Sequence, residues 1–232
     1  SARNRDRLAS LADECRAQGA QAFAVPADVA RREDCESLAD AAVAQFGAID
    51  VLVLNAGSTM WSRLDELEDT DLLERLMRVN YLGSVYPTFH ALPHLKRSRG
   101  QIVAISSPAG LPGVPYRSAY CATKHAQMGF FDSLRIELRE SGVSVSVIAP
   151  YFVQSEIRRR SPGPDGHTVP ASPLKEGELM SAEECARLIV RAMEKRKRIL
   201  VMTLKGKLGR WAGLAFPSLV DHLAAEAVRK GR

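Results

Sequence analysis

The run Gln101-Ile-Val-Ala-Ile105, followed at once by Ser106 and Ser107, constrains this chain more than any other stretch. Residues 102–105 are apolar, mostly β-branched and bounded by turn formers, the pattern of a strand covered on both faces in a parallel sheet. Such sheets bind their ligands beyond the carboxyl ends of the strands. Here that end carries two hydroxyls. After a short turn containing proline and glycine, Ser118-Ala-Tyr120-Cys-Ala-Thr-Lys124 begins a stretch in which Phe131, Leu134 and Leu138 recur with helical spacing. Tyr120 and Lys124 therefore share one helix face.

This arrangement suits proton transfer to an alcohol or carbonyl oxygen. A tyrosine has an ordinary pKa of about 10, too high for a good base at neutral pH. A lysine ammonium one turn away favours the phenolate and lowers that value. A serine hydroxyl can orient the substrate oxygen, and a nicotinamide can exchange the hydride. A lone Tyr-x-x-x-Lys is otherwise a surface pair on an amphipathic helix; the serine-ended strand upstream weighs against that.

Ser107, thirteen residues before Tyr120, together with Tyr120 and Lys124, resembles the catalytic set of the short-chain dehydrogenases/reductases. Asn55-Ala56-Gly57 after the apolar run 51–54 resembles the family's Asn-Ala-Gly turn. Asn80 in Val79-Asn80-Tyr81-Leu82-Gly83 resembles the asparagine that completes its tetrad, and Asp28 in Ala27-Asp28-Val29 its adenine-side aspartate. The resemblance covers residues 1–202. It implies a Rossmann-type α/β domain with a doubly wound, mostly parallel sheet, and NAD(P)-dependent interconversion of a carbonyl and an alcohol. By the same resemblance Tyr120 is the general acid/base. Lys124 lowers the pKa of Tyr120 and holds the nicotinamide ribose, Ser107 orients the substrate oxygen, and Asn80 holds a water in a relay with Lys124. Cofactor contacts are implied at Arg3, Asp28, Val29, Asn55, Ala56, Gly57, Tyr120, Lys124, Pro150, Val153 and Ser155. Asp28 and residues 55–57 are also ordinary capping and turn residues.

Two positions bear on the cofactor. An acidic residue after the second strand would accept the ribose 2′-hydroxyl of NAD, whereas a guanidinium matches the 2′-phosphate of NADP. Arg3, with Asn4 and Arg5 beside it, favours NADP and leaves NAD open; the plain alternative is a solvated basic turn. The family's Pro-Gly after the sixth strand is Pro150-Tyr151 here, and Ser155 stands for its threonine. No Gly-x-x-x-Gly-x-Gly occurs in the 232 residues. The resemblance therefore implies that a first strand, its pyrophosphate-cradling turn and a first helix precede Ser1. A chain starting there is expected to have a gap in its sheet and to be inactive.

Strands are expected at 21–27, 49–54, 102–105, 143–148 and 199–202, and helices at 5–16, 32–46, 69–92 (broken near Asn80), 118–140 and 182–193, the last opened by the capping box Ser181-Ala-Glu-Glu184. Leu8, Leu11 and Ala12 form the inner face of the first helix. Residues 156–180, with Pro170, Pro173 and Gly177, lack periodicity and stand where the family has a substrate lid. A composition of 46% hydrophobic and 25% charged residues suits one soluble domain. The four cysteines have no zinc or disulfide spacing and point to a reducing compartment, so a cytoplasmic site is expected and no metal.

Residues 203–232 form a tail beyond that domain. From Arg187 onward there are twelve basic and three acidic residues, a net of +9 in a chain whose total is +5. Leu204, Leu208, Trp211 and Ala215 share a helical face among basic residues, with Pro217 ending that helix. Such a helix either packs on the domain or at a dimer contact, the reading favoured here, or lies on an anionic membrane. The expected partners are a carbonyl or alcohol substrate and a second copy of the chain through residues 69–97 and 118–140, with no nucleic acid. Sterols, lipid-derived ketones and small aldehydes all fit a pocket near Met60, residues 111–116, Tyr151 and 156–180. The alternative function is a non-catalytic or membrane-peripheral binding protein that keeps the dehydrogenase fold.

Overall fold

The computed structural model of the protein describes residues 1–159, 161–168 and 179–231. Helices α1 (Arg5–Ala17) and α2 (Arg32–Phe46) come first. Asn4 caps α1, its Oδ1 accepting the Arg7 N–H at 2.9 Å, and Gly47 ends α2 with φ of 78°, a left-handed cap that favours glycine. The described sheet is parallel throughout, with β1 (Val51–Leu54), β2 (Gln101–Ile105), β3 (Ser144–Ala149) and β4 (Ile199–Val201) lying side by side in that order. Helices α3 (Asp71–Leu76) and α4 (Gly83–Ser98) cross from β1 to β2, and α5 (Ser118–Glu137) crosses from β2 to β3. The short α6 (Glu156–Arg159) and then α7 (Ala182–Glu194) lie between β3 and β4. Ser181 caps α7, its hydroxyl accepting the Glu184 N–H at 3.1 Å.

Strand periodicity explains the layers. Successive side chains alternate faces, so Ile102 and Ala104 meet Ala91 and Leu95 of α4 and Phe131 and Leu134 of α5. Val103 and Ile105 point the other way, onto Ile189, Ala192 and Met193 of α7. Helices thus cover both faces, as a doubly wound sheet requires. Phe131 is fully buried; a ring of that size contributes about 3 kcal/mol through the apolar area it removes from water.

Two expectations need correction. Residues 21–27 are extended but form no strand of the sheet: they pair at one bridge, Ala2 with Pro26, where the Ala27 N–H donates to the Ala2 carbonyl at 3.1 Å. A ladder needs a neighbour about 4.8 Å away, and no described strand pairs with the free edge of β1, where Val51 and Val53 are 44% and 48% exposed. Leu11 is exposed rather than inward; α1 buries Leu8 and Ala12. The break expected near Asn80 in the helix over 69–92 is present as a π turn, Met77–Leu82, between α3 and α4.

The lid segment is closed at its base by the Val153–Met180 bridge. Its described part, 161–168, docks on the loop after β1: the Trp61 N–H donates to the Pro162 carbonyl at 2.9 Å and the Glu68 N–H to that of Pro164 at 3.3 Å. Residues 169–178, with Pro170, Pro173 and Gly177, lie outside the described residues. The tail forms α8 (Leu204–Ala215) and α9 (Pro217–Gly231). Pro217 opens α9, a first-turn position that tolerates its missing N–H. Leu208 and Trp211 are 61% and 67% exposed, so the apolar stripe of α8 is mostly open to solvent at these residues. Among the described residues no helix is long and apolar enough to cross a membrane.

Candidate active site

The site lies beyond the carboxyl end of β2. The Ser106 N–H donates to the Ile148 carbonyl at 2.7 Å, the last rung beside β3. Ser107 then caps the 3₁₀ turn Pro108–Gly110, its Oγ accepting the Ala109 N–H at 3.2 Å. This turn lies directly on α5: a Cβ at Gly110 would sit 2.9 Å from the Lys124 carbonyl oxygen, so the approach requires glycine. The same approach brings the Ser107 hydroxyl to the side of the Tyr120 phenol. Tyr120 is buried. Burial pushes its pKa above the ordinary value, while the Ser107 hydroxyl and the charge of Arg117 pull it down.

Lys124, one turn on, is 4% exposed. Its Nζ donates to the Ile105 carbonyl at 3.2 Å and to Gln127 Oε1 at 2.9 Å, and lies 5.7 Å from the centre of the Tyr120 ring. Burial lowers its pKa from 10.5 to about 7. Burial thus leaves Lys124 about half-charged near neutrality, and the charge of Arg117 lowers the Tyr120 pKa as well. The Arg117 guanidinium stacks 3.5 Å above the Trp61 ring centre and 5.5 Å from that of Tyr120.

Asn80 is fully buried. Its Oδ1 accepts the Ser58 N–H at 2.8 Å, and its Nδ2 donates to the Ser58 carbonyl and to Thr123 Oγ1, both at 2.9 Å. The side chain thus ties the turn at 55–57 to α5, rather than reaching Lys124 itself. A Cβ at Gly57 would lie 3.4 Å from Asn80 Oδ1. The structure brings Ser107, Tyr120 and Lys124 together, with Asn80 joined to them through Thr123 and Gln127.

The residues read as cofactor contacts form separate groups. Arg3 and Asp28 meet at 3.9 Å, with Arg3 80% exposed. Asp28 also closes a local turn, its Oδ1 accepting the Ala30 N–H at 3.0 Å. Val29 packs on the start of α4, where a Cβ at Gly83 would come within 2.7 Å of its Cγ2. Asn55, Ala56 and Gly57 form an exposed turn past β1. Pro150 and Val153 are half-buried and Ser155 is exposed. None of the described hydrogen bonds joins residues 150–155 to Ser107, Tyr120 or Lys124. The donors fit a nicotinamide dinucleotide, with its phosphates and sugar hydroxyls: a solvent-facing guanidinium, a small-residue turn for close approach, and an amine to donate to a sugar hydroxyl.

Trp61 and Met60 are buried. Met60 packs with Leu72, Leu76 and Tyr120 under the site, and Trp61 carries Arg117. A cleft of about 460 Å³ is lined by Ser62, Arg63, Val114, Tyr116 and Ser118, with Ala225 of α9 on its wall; Ser107, Tyr120 and Lys124 do not line it. Sequence reasoning missed Arg117, Thr123 and Gln127. All three stand three or four residues from Tyr120 or Lys124 on one helical face, and that spacing was the signal.

The family model described as short chain dehydrogenase matches residues 1–164. The Dictyostelium discoideum protein named dehydrogenase/reductase SDR family protein 7-like is 31% identical over 225 residues, covering 95% of this chain and 70% of that protein. The Arabidopsis thaliana 11-beta-hydroxysteroid dehydrogenase-like 4A is 32% identical, covering 94% and 72%. Among solved structures, the alcohol dehydrogenase of the archaeon Thermococcus sibiricus complexed with 5-hydroxy-NADP superposes with a TM-score of 0.73 at 28% identity, covering 86% of this chain and 82% of that one. A short-chain dehydrogenase from Streptomyces avermitilis gives 0.76 at 25% identity over 97% and 86%. With the parallel sheet, the serine-ended strand and the Tyr-Lys helix in place, the chain belongs to the short-chain dehydrogenase family and so to the nicotinamide-dependent oxidoreductases.

Proposed function

We propose that the protein interconverts a carbonyl and an alcohol, with Tyr120 as general acid/base and NADP preferred over NAD. The observation that carries this reading is the grouping at the end of β2, with the Ser107 hydroxyl beside the Tyr120 phenol and Lys124 Nζ 5.7 Å from the same ring. A nicotinamide held by these residues would supply or take the hydride at the substrate carbon. In the reducing direction the Tyr120 O–H bond breaks, its proton passes to the carbonyl oxygen, and a phenolate remains to be reprotonated. Burial favours the protonated phenol, so the acid form that reduction draws on is the resting form. Ser107 donates to the same oxygen and fixes its position. Lys124, when charged, stabilises the phenolate and has donors to spare for a ribose hydroxyl. Asn80 holds the turn at 55–57 against α5, and Arg3 offers its guanidinium to a 2′-phosphate.

The test is a carbonyl panel on the full-length protein with NADPH and NADH, followed by nicotinamide absorbance. Tyr120→Phe should lower kcat about 10²–10⁴-fold, the usual range for loss of a positioned acid, and leave NADPH binding in place. Unchanged turnover in that variant would remove the mechanism. A second reading concerns the tail: the exposed Leu208, Trp211, Phe216, Leu219 and Leu223, in the basic end of the chain, favour contact with an anionic lipid surface.

A further inference from the structure

Inward of Lys124 lies a buried polar bridge that none of the roles above uses. Gln127 is fully buried on α5. Its Oε1 accepts from Lys124 Nζ at 2.9 Å, and its Nε2 donates to the Asn80 backbone carbonyl at 2.8 Å and to Ser84 Oγ at 2.6 Å. Ser84 Oγ in turn donates to the same Asn80 carbonyl at 2.7 Å. The amide can sit only one way round: reversed, its oxygen would face a carbonyl and its NH₂ an amine that donates. The π turn presents the Asn80 carbonyl toward α5, and its two lone pairs receive two donors from side chains.

We propose that Gln127 is a positioning residue for the reaction, holding the Lys124 amine by its amide oxygen and closing the inward path from Lys124 to the Asn80 carbonyl. The proposal rests on the oxidoreductase reading above. A primary amide neither gains nor gives up a proton in the working pH range, so it can fix Lys124 but cannot hand a proton on. This differs from the water relay through Asn80 that the family resemblance implies. The groups facing Lys124 are otherwise uncharged: the Ile105 carbonyl at the end of β2, the turn Pro108–Gly110, and the Asn80 region of the π turn. Among the described residues no carboxylate pairs with it, and the nearby titratable groups are Tyr120 and, beyond that ring, Arg117.

Polarity and volume make opposite predictions, which gives the test. In full-length protein, the Lys124 amine is titrated by ¹⁵N NMR, and kcat/KM for alcohol oxidation is measured against pH. Gln127→Leu keeps the volume and removes the acceptor; Gln127→Met does the same if leucine fails to fold. Lys124 should then titrate about one pH unit lower, by loss of a hydrogen bond to its charged form, and the rising limb of the rate profile should move to higher pH as Tyr120 loses the cation. Gln127→Ala opens a space lined by polar groups, which admits a water, so the lysine should return to within about half a unit of wild type. A Lys124 titration unchanged by leucine or methionine, or an alanine variant displaced as far as they are, would overturn the proposal, because a packing role follows volume. The titration needs no turnover, so an unmoved lysine counts against Gln127, whereas a wild-type protein without turnover counts against the reading on which it rests.

Discussion

Replacing Lys124 by methionine should change how stability depends on pH, in an amount the structure fixes. The amine is 4% exposed, and burial lowers its pKa from 10.5 to about 7. Between those values the unfolded chain holds a proton on this lysine that the folded chain does not. Stability rises with pH wherever the unfolded state binds more protons. The lysine therefore makes the wild type more stable as pH climbs from about 7 to 10.5, and contributes no slope below about 7, where both states are charged. At about 1.4 kcal/mol per pH unit the full span is about 5 kcal/mol. Methionine has a similar length and no charge, so Lys124→Met loses this slope while every other titration in the chain stays common to both forms. The assay is urea unfolding of full-length wild type and variant from pH 6 to 10, followed by the fluorescence of buried Trp61 and extrapolated to water. The difference in unfolding free energy, wild type minus variant, should be level from pH 6 to 7 and then rise by about 1 kcal/mol or more per unit. A difference that stays level to pH 10, or falls, would show that the fold does not discharge this lysine.

Two further outcomes are expected. Arg117→Met removes the cation that pulls the Tyr120 pKa down, so the rising limb of kcat/KM for alcohol oxidation should move to higher pH by up to about one unit; an unmoved limb would show that the guanidinium serves only its stack on Trp61. The full-length protein should sediment with phosphatidylserine vesicles at low salt and be released at about 0.5 M salt, with Trp211→Ala weakening the low-salt binding; protein that stays in the supernatant at low salt ends the lipid reading of the tail.

The elements most legible in the sequence were those whose local pattern and tertiary role agree. Helix α2 occupies the residues that spacing gave it, ending at Gly47 as a left-handed cap should. The run at 102–105 is buried on both faces, so composition alone identified it. Where the pattern depended on a distant partner it failed. Residues 21–27 have strand-forming side chains but pair only at Pro26, because a ladder belongs to two segments and the sequence shows one. The grouping of Ser107, Tyr120 and Lys124 followed from one strand and one helix. Their electrostatics did not follow, because a pKa depends on burial: the amine expected to be a full cation is about half-charged near neutrality through its desolvation. Gln127 was passed over for a similar reason. An uncharged amide carries no chemical signal in sequence, and only the geometry shows that it joins Lys124 to the Asn80 carbonyl.

The widened turn at Met77–Leu82 couples two demands on one stretch of chain. An ordinary α-helix advances about 100° per residue. Deleting one residue there to regularise the helix would swing everything downstream by that angle, carrying Ala91 and Leu95 off the sheet they pack against. Keeping those two in place while straightening the backbone would instead turn the Asn80 amide away from Ser58 and Thr123. The length of this segment is thus set jointly by the hydrophobic seam and by the polar anchor. Insertions and deletions should be tolerated in the loops on either side of it and selected against within it.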